Sequence, residues 1–174
     1  EAYIEVLARY AGAEEREYWA KKIKGSGSPK FTSILCKSGE EMDIPEEWRQ
    51  LCYNRHGIRR ALILYNTSVG SFLAHEKQMI DKMRSVFLFF ESHKDELLLL
   101  WRPHPLMEAT ISAMRPELWD EYQAVVREYK EKEIGIFDDT PEVGRAIVLC
   151  DAYYGDPSSL VRLCQKAKKP VMIQ

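Results

Sequence analysis

The sequence has no CxxC pair, no apolar run near the roughly 20 residues that cross a bilayer, and almost no net charge. Each absence removes a class of function. The four cysteines (Cys36, Cys52, Cys150 and Cys164) are too scattered for a zinc site or a disulfide framework, which favours reduced thiols in a cytosolic setting. A formal charge of −2 on 174 residues gives no global reason to expect nucleic acid as a partner. Neither GxGxxG nor GxxxxGK[ST] occurs, which excludes an ordinary dinucleotide fingerprint and a nucleotide-hydrolysing P-loop. No Ser/His/Asp or Cys/His set assembles from spacing. Internal repeats and low-complexity tracts are also missing. The chain opens on Glu1 without a signal-peptide pattern and reads as a fragment of a longer protein.

What is present is an ordinary globular composition, 45 % hydrophobic and 30 % charged, sufficient for one domain with its own core. From residue 61 onward, short apolar runs alternate with longer amphipathic ones. ALILYN (61–66), LLLLW (97–101), GIF (135–137), AIVLC (146–150) and VMI (171–173) read as buried strands, being short, continuously apolar and bounded by polar residues or proline. Between them, Phe72, Met79, Met83, Val86, Phe87 and Phe90 recur at helical spacing on one face. A second helical stretch covers 107–132 with a break at Pro116, and shorter helices are expected near 141–145 and over 157–168. This rhythm predicts an α/β fold with a doubly wound, mostly parallel, Rossmann-like sheet. Residues 1–24 read differently, as a helical tail of an upstream region with Tyr3, Val6, Leu7 and Tyr10 on one face. GSGSP (25–29) marks the break into the main domain, 25–174. FTSIL (31–35) is then expected at a sheet edge, and IPEEW (44–48) as a helix start with Pro45 at its first position.

Ligands of open parallel sheets bind outside the carboxyl ends of the strands, so the residues after each expected strand carry the functional question. They are Asn66-Thr67-Ser68, then Arg102-Pro103-His104-Pro105, then Asp138-Asp139-Thr140, and finally Asp151 leading to Gly155-Asp156-Pro157-Ser158-Ser159. Flanking prolines hold the His104 backbone, and an imidazole that titrates near neutrality suits a diphosphate or a leaving group. A hydrogen-bonded structural histidine ending a strand is the plain alternative. Arg102 beside it either adds charge or pairs with an acid. Asp156 suits an N-cap, Pro157 the first turn, and the free N–H groups of that turn attract an anion, to which Ser158 and Ser159 add donors. Simple capping by Asp156 accounts for the same pattern. Asp138 and Asp139 offer a contact to a ribose hydroxyl or a cation, or a cap for the next helix. His56, His75 and His93 read as structural or surface residues, and Lys130, Lys132, Lys166, Lys168 and Lys169 as solvated helix surface.

The series ALILYNTS, LLLLWRPHPL, IGIFDDT, AIVLCDAYYGDPSSLV and KKPVMI, with GSGSPK before it, resembles the C-terminal half of the CDP-glycerol glycerophosphotransferases over residues 25–174. These resemble GT-B glycosyltransferases in having two Rossmann-like halves. The resemblance implies a nucleotide-activated donor, CDP-glycerol, a surface-polymer or glycan acceptor such as teichoic acid, and release of CMP. It also implies a bacterial, cytoplasmic protein, at most peripheral to the inner face of the membrane, whose other half supplies the acceptor side. The family's strand-end His-Pro falls on His104-Pro105, its Asp-x-Ser-Ser on Asp156-Pro157-Ser158-Ser159, and a threonine on Thr67. His104 is thereby the expected catalytic residue. Thr67, Arg102, Asp139, Asp156, Ser158 and Ser159 are the expected donor-binding set. No cofactor or metal is expected as a fixed component, with a divalent ion at Asp139 left open. Two positions depart from the pattern: Asn66-Thr67-Ser68 lacks the aromatic-arginine pair of many relatives, and Thr32 stands where an aspartate is usual. A sugar-nucleotide glycosyltransferase and a degenerate binding module therefore remain as alternatives.

Overall fold

The computed structural model describes residues 12–22 and 42–174. The chain divides into two compact units, Glu1–Ser33 and Ile34–Gln174. In the first, helix α1 (Ala13–Lys22) carries acidic residues in its first turn and lysines in its last, with a Lys21–Glu17 pair at 2.8 Å. The amphipathic face at 3–10, the GSGSP break and FTSIL lie outside the described residues.

In the second unit, apolar runs of three to seven residues form β1 (Ala61–Thr67), β2 (Leu97–Pro103), β3 (Gly135–Phe137), β4 (Ala152–Gly155) and β5 (Val171–Ile173). All pairings are parallel, in the order β3-β2-β1-β4-β5. The two central strands are apolar on both sides because both sides are covered. Leu62, Leu64, Leu98 and Leu100 alternate with Tyr65, Leu99 and Trp101, all at most 1 % exposed.

The helices are α2 (Glu46–Leu51), α3 (Val69–His75), α4 (Lys77–Ser92), α5 (Met107–Met114), α6 (Trp119–Glu131), α7 (Val143–Leu149) and α8 (Ser159–Lys166), with a 3₁₀ turn at Pro116–Leu118. The helical stripe read from sequence is the buried face of α3 and α4. Met79, Met83, Val86, Phe87 and Phe90 join Tyr65, Leu99 and Trp101 and the α6 residues Tyr122, Val125 and Tyr129 in one cluster. The Phe87 ring lies 4.8 Å from Trp101 and 4.6 Å from Tyr129. Burying each such side chain contributes about 1.5–3 kcal/mol, which is why this face dominates the core. The buried α7 residues Ala146 and Ile147 lie outside that cluster, and α7 packs on β1, while α8 packs on β4 and β5. The chain therefore changes faces between β3 and β4, making the sheet doubly wound with its switch point between β1 and β4.

Three expectations are corrected. AIVLC is not a strand: residues 143–149 are α7, and the strand is the following AYYG. A short apolar run is equally compatible with a buried helix segment. Here Ala146, Ile147 and Cys150 are wholly buried at helical spacing, whereas residues 152–155 alternate half-buried and buried. In consequence Asp151 does not follow a strand. It precedes β4 at the amino edge, where its carboxylate accepts from the Leu62 N–H at 2.8 Å and from Arg59 at 2.9 Å. Pro45 is the N-cap of α2 rather than its first helical residue.

Candidate functional site

The carboxyl edge of the sheet collects the exits of β1, β2, β3 and β4. Thr67 ends β1 wholly buried, and its hydroxyl accepts from the indole N–H of Trp101 at 3.2 Å. Its carbonyl accepts from the His104 N–H at 2.9 Å, which ties the His-Pro turn to β1. Thr67 thus positions this turn and presents no free group of its own. Ser68 caps α3, its hydroxyl accepting from the Ser71 N–H at 3.1 Å.

Arg102 ends β2 only 6 % exposed. Its guanidinium pairs with buried Asp138, and Nη2 donates to the Thr140 carbonyl at 2.6 Å. Asp138 also accepts from the Thr140 N–H at 3.1 Å and hydroxyl at 2.6 Å. Of the two roles open to Arg102, the fold realises the pairing with an acid. The pair clamps the exits of β2 and β3 together, and neither Asp138 nor Asp139 caps the next helix, whose N-cap is Glu142. Asp139 is left exposed.

His104 is exposed between its prolines. Its Nδ1 accepts from the Leu106 N–H at 3.1 Å, which places the imidazole proton on Nε2 and leaves that N–H to donate outward. His104 and Asp139 line a cavity of about 160 Å³ with Glu108, Tyr122, Lys130 and Phe137. The Lys130 ammonium lies 4.1 Å from the centroid of the Phe137 ring.

At the β4 exit the capping roles are exchanged. Asp156 is not the N-cap of α8. That residue is Ser158, whose Oγ accepts from the Leu160 N–H at 3.2 Å. Asp156, 2 % exposed, turns inward: its Oδ2 accepts from the Ser68 N–H at 2.5 Å and its Oδ1 faces the Gln174 amide at 3.5 Å. Its carbonyl accepts from the hydroxyl of Tyr153 at 2.5 Å, a phenol that burial pushes up to about 12. Ser159 opens α8 and is exposed.

The fold therefore separates the expected set. His104 and Asp139 share one cavity, and Asp156 lines another of about 230 Å³ with Ser71, His75, Gln78, Lys82 and Gln174. The Thr67-Ser68 exit stands between them, because β1 lies between β2 and β4. Ser158 and Ser159 line neither cavity. Gln78 and Lys82, four residues apart on one face of α4, were missed as candidates, and His75 at the end of α3 reads from sequence as a structural or surface residue; Lys82 is the single cation among them. Among the described residues no group of three or more His, Cys, Asp or Glu side chains is placed to hold a metal ion, and no helix is long and apolar enough to cross a membrane. Comparison of the chain with protein-family models, with curated proteins and with solved structures finds no match.

Proposed function

We propose that the chain is the donor-binding half of a GT-B-like transferase that moves glycerol phosphate from CDP-glycerol to an acceptor hydroxyl. The observation that carries this reading is the His104 imidazole: exposed at the carboxyl edge, held by the Leu106 N–H, and left with an Nε2–H to donate. In the reaction the acceptor oxygen forms a bond to the distal phosphorus while the bond from that phosphorus to the bridging oxygen breaks. CMP leaves with the electron pair, and the acceptor proton passes to a base on the other half of the protein. Such transfer depends on positioning and on stabilising charge at phosphate oxygens. His104 donates to the bridging or a non-bridging oxygen as CMP departs. The exposed Ser159 hydroxyl is the second anion-facing element, with Ser158 holding the first turn of α8 in shape by accepting from the Leu160 N–H. Arg102 and Thr67 act by positioning the His104 turn, through the Asp138 clamp and the β1 carbonyl.

The test is calorimetric titration of CDP-glycerol and UDP-linked sugars into the full-length protein and its variants. Loss of one charge-assisted hydrogen bond, about 1.5–3 kcal/mol, predicts that His104→Ala weakens CDP-glycerol binding by roughly 10- to 150-fold. Ser159→Ala removes an exposed donor without touching the fold. Ser158→Ala also removes a cap worth about 1 kcal/mol, so its binding loss is read beside its unfolding curve. Tighter binding of a UDP-sugar than of CDP-glycerol would turn the reading into a glycosyltransferase. Unchanged affinity in His104→Ala, or no donor binding at all, would sink it.

A further inference from the structure

Among the described residues α8 covers one face of β4 and β5, and the opposite face of these strands opens as a groove of about 590 Å³ against α4. Ala152, Tyr154 and Met172 line it from the strands, and Lys82, Val86 and Phe89 from the helix, at the three- and four-residue spacing of one helical stripe. The Tyr154 ring is stacked on buried Tyr65 at 5.5 Å, with the planes 19° apart, which holds it as a fixed apolar surface. Phe89 and Met172 are 51 % and 66 % exposed, apolar area that an occupant would remove from water.

The groove has a single charged lining residue, Lys82. It is half-buried and makes no ion pair among the described residues; the neighbouring Asp81 pairs with Arg84. Lys82 also borders the polar cavity of Ser71, His75, Gln78 and Gln174, so it stands where apolar walls give way to polar ones. Asp156 in that cavity already accepts from the Ser68 N–H. An apolar cleft with one cation outside any ion pair at its polar end complements an apolar molecule bearing one anionic group. Its volume lies within the ~300–1,000 Å³ of small-molecule pockets.

We propose that this groove binds a monomeric anionic amphiphile, an apolar chain or ring system lying on Tyr154, Phe89 and Met172 with its anionic group on Lys82. The site is distinct from the His104 edge and does not rest on the donor reading. The test uses three probes titrated into the full chain below their aggregation thresholds: octyl phosphate, octanol and inorganic phosphate. Octyl phosphate is expected to bind at least about tenfold more tightly than either of the others, because both halves of the site contribute. Lys82→Gln brings it down to the octanol level, and Lys82→Arg restores it. Met172→Ser, at an exposed position, weakens both octyl compounds by about threefold or more and leaves inorganic phosphate unchanged. Equal binding of octyl phosphate to wild type and Lys82→Gln would overturn the proposal. So would absence of octyl phosphate binding, or a wild-type dimer that Met172→Asp dissociates, which would give the groove to a second copy of the chain.

Discussion

Replacing Asp138 with asparagine isolates the one buried ion pair at the candidate site. The asparagine oxygen still accepts from the Thr140 N–H and hydroxyl, so the local turn survives, while the oxygen that accepted from Arg102 becomes an amide donor and both the charge and that hydrogen bond are lost. Arg102, with a side chain 7 % exposed, then keeps a full positive charge in the interior opposite a neutral group. Its remaining partner is the Thr140 carbonyl at 2.6 Å. Breaking a buried pair from one side costs about 3–5 kcal/mol, a large fraction of the ~5–15 kcal/mol that holds a domain together. With a urea m-value of about 1–3 kcal/mol/M, the unfolding midpoint falls by roughly 1–5 M. The double variant Arg102→Met/Asp138→Asn removes the stranded charge and recovers most of this loss, since apolar replacements of buried pairs are often neutral. Burial also predicts that raising the salt concentration leaves the single-variant cost unchanged. A cost for Asp138→Asn below about 1 kcal/mol, or a double variant no more stable than the single one, would refute a stranded buried charge at Arg102. The His104 turn gives a second readout, because the clamp sits one residue before Pro103.

Two further outcomes follow from backbone geometry and from burial. Gly155 has φ +142° and pairs with Asn66, and a Cβ there would lie 2.3 Å from the Asn66 carbonyl oxygen and 2.9 Å from its nitrogen. Backbone on the neighbouring central strand has no room to yield, so Gly155→Ala is expected to cost at least about 2 kcal/mol. That lowers Tm by roughly 4–8 °C for a chain of this size, and a drop under about 2 °C would contradict it. Burial raises the phenols of Tyr65, Tyr122 and Tyr129, and that of Tyr153 to about 12. The folded state therefore holds protons that the unfolded chain releases from pH 10 upward. Their stabilising contribution is complete below about pH 10 and is lost as pH rises toward 12. Urea midpoints measured at about pH 9 and about pH 11 should fall with pH, and the phenolate absorbance of these four residues, isolated as the difference between wild type and single Tyr→Phe variants, should rise with unfolding rather than before it. Phenolate from Tyr65, Tyr122, Tyr129 or Tyr153 in the folded protein near pH 10 would contradict their burial.

Much of the architecture is written in local periodicity. The runs at 61–66, 97–101, 135–137 and 171–173 are strands, and the Phe72 to Phe90 stripe is a buried helical face, because apolar spacing alone fixes which side of an element seeks the core. Most of the polar residues at strand exits were equally legible, Asp151 excepted, and so was the placing of His104 between prolines where β2 ends, whereas its exposure was not. AIVLC was not legible as a helix, because five apolar residues carry no period of their own. Partnerships were the other thing hidden from the sequence. Arg102 meets Asp138 across 36 positions, and Asp156 meets Ser68 across 88, and only the strand order brings those exits side by side. That order also turned Asp156 inward and left the cap of α8 to Ser158, since a carboxylate within reach of an open backbone N–H just past the end of the neighbouring strand is held there. The groove beside Lys82 has the same origin. Its wall is a helix, and its floor joins Ile63 and Leu97 to residues of two strands about 70 to 90 residues further along the chain, so its shape exists only in the packed sheet.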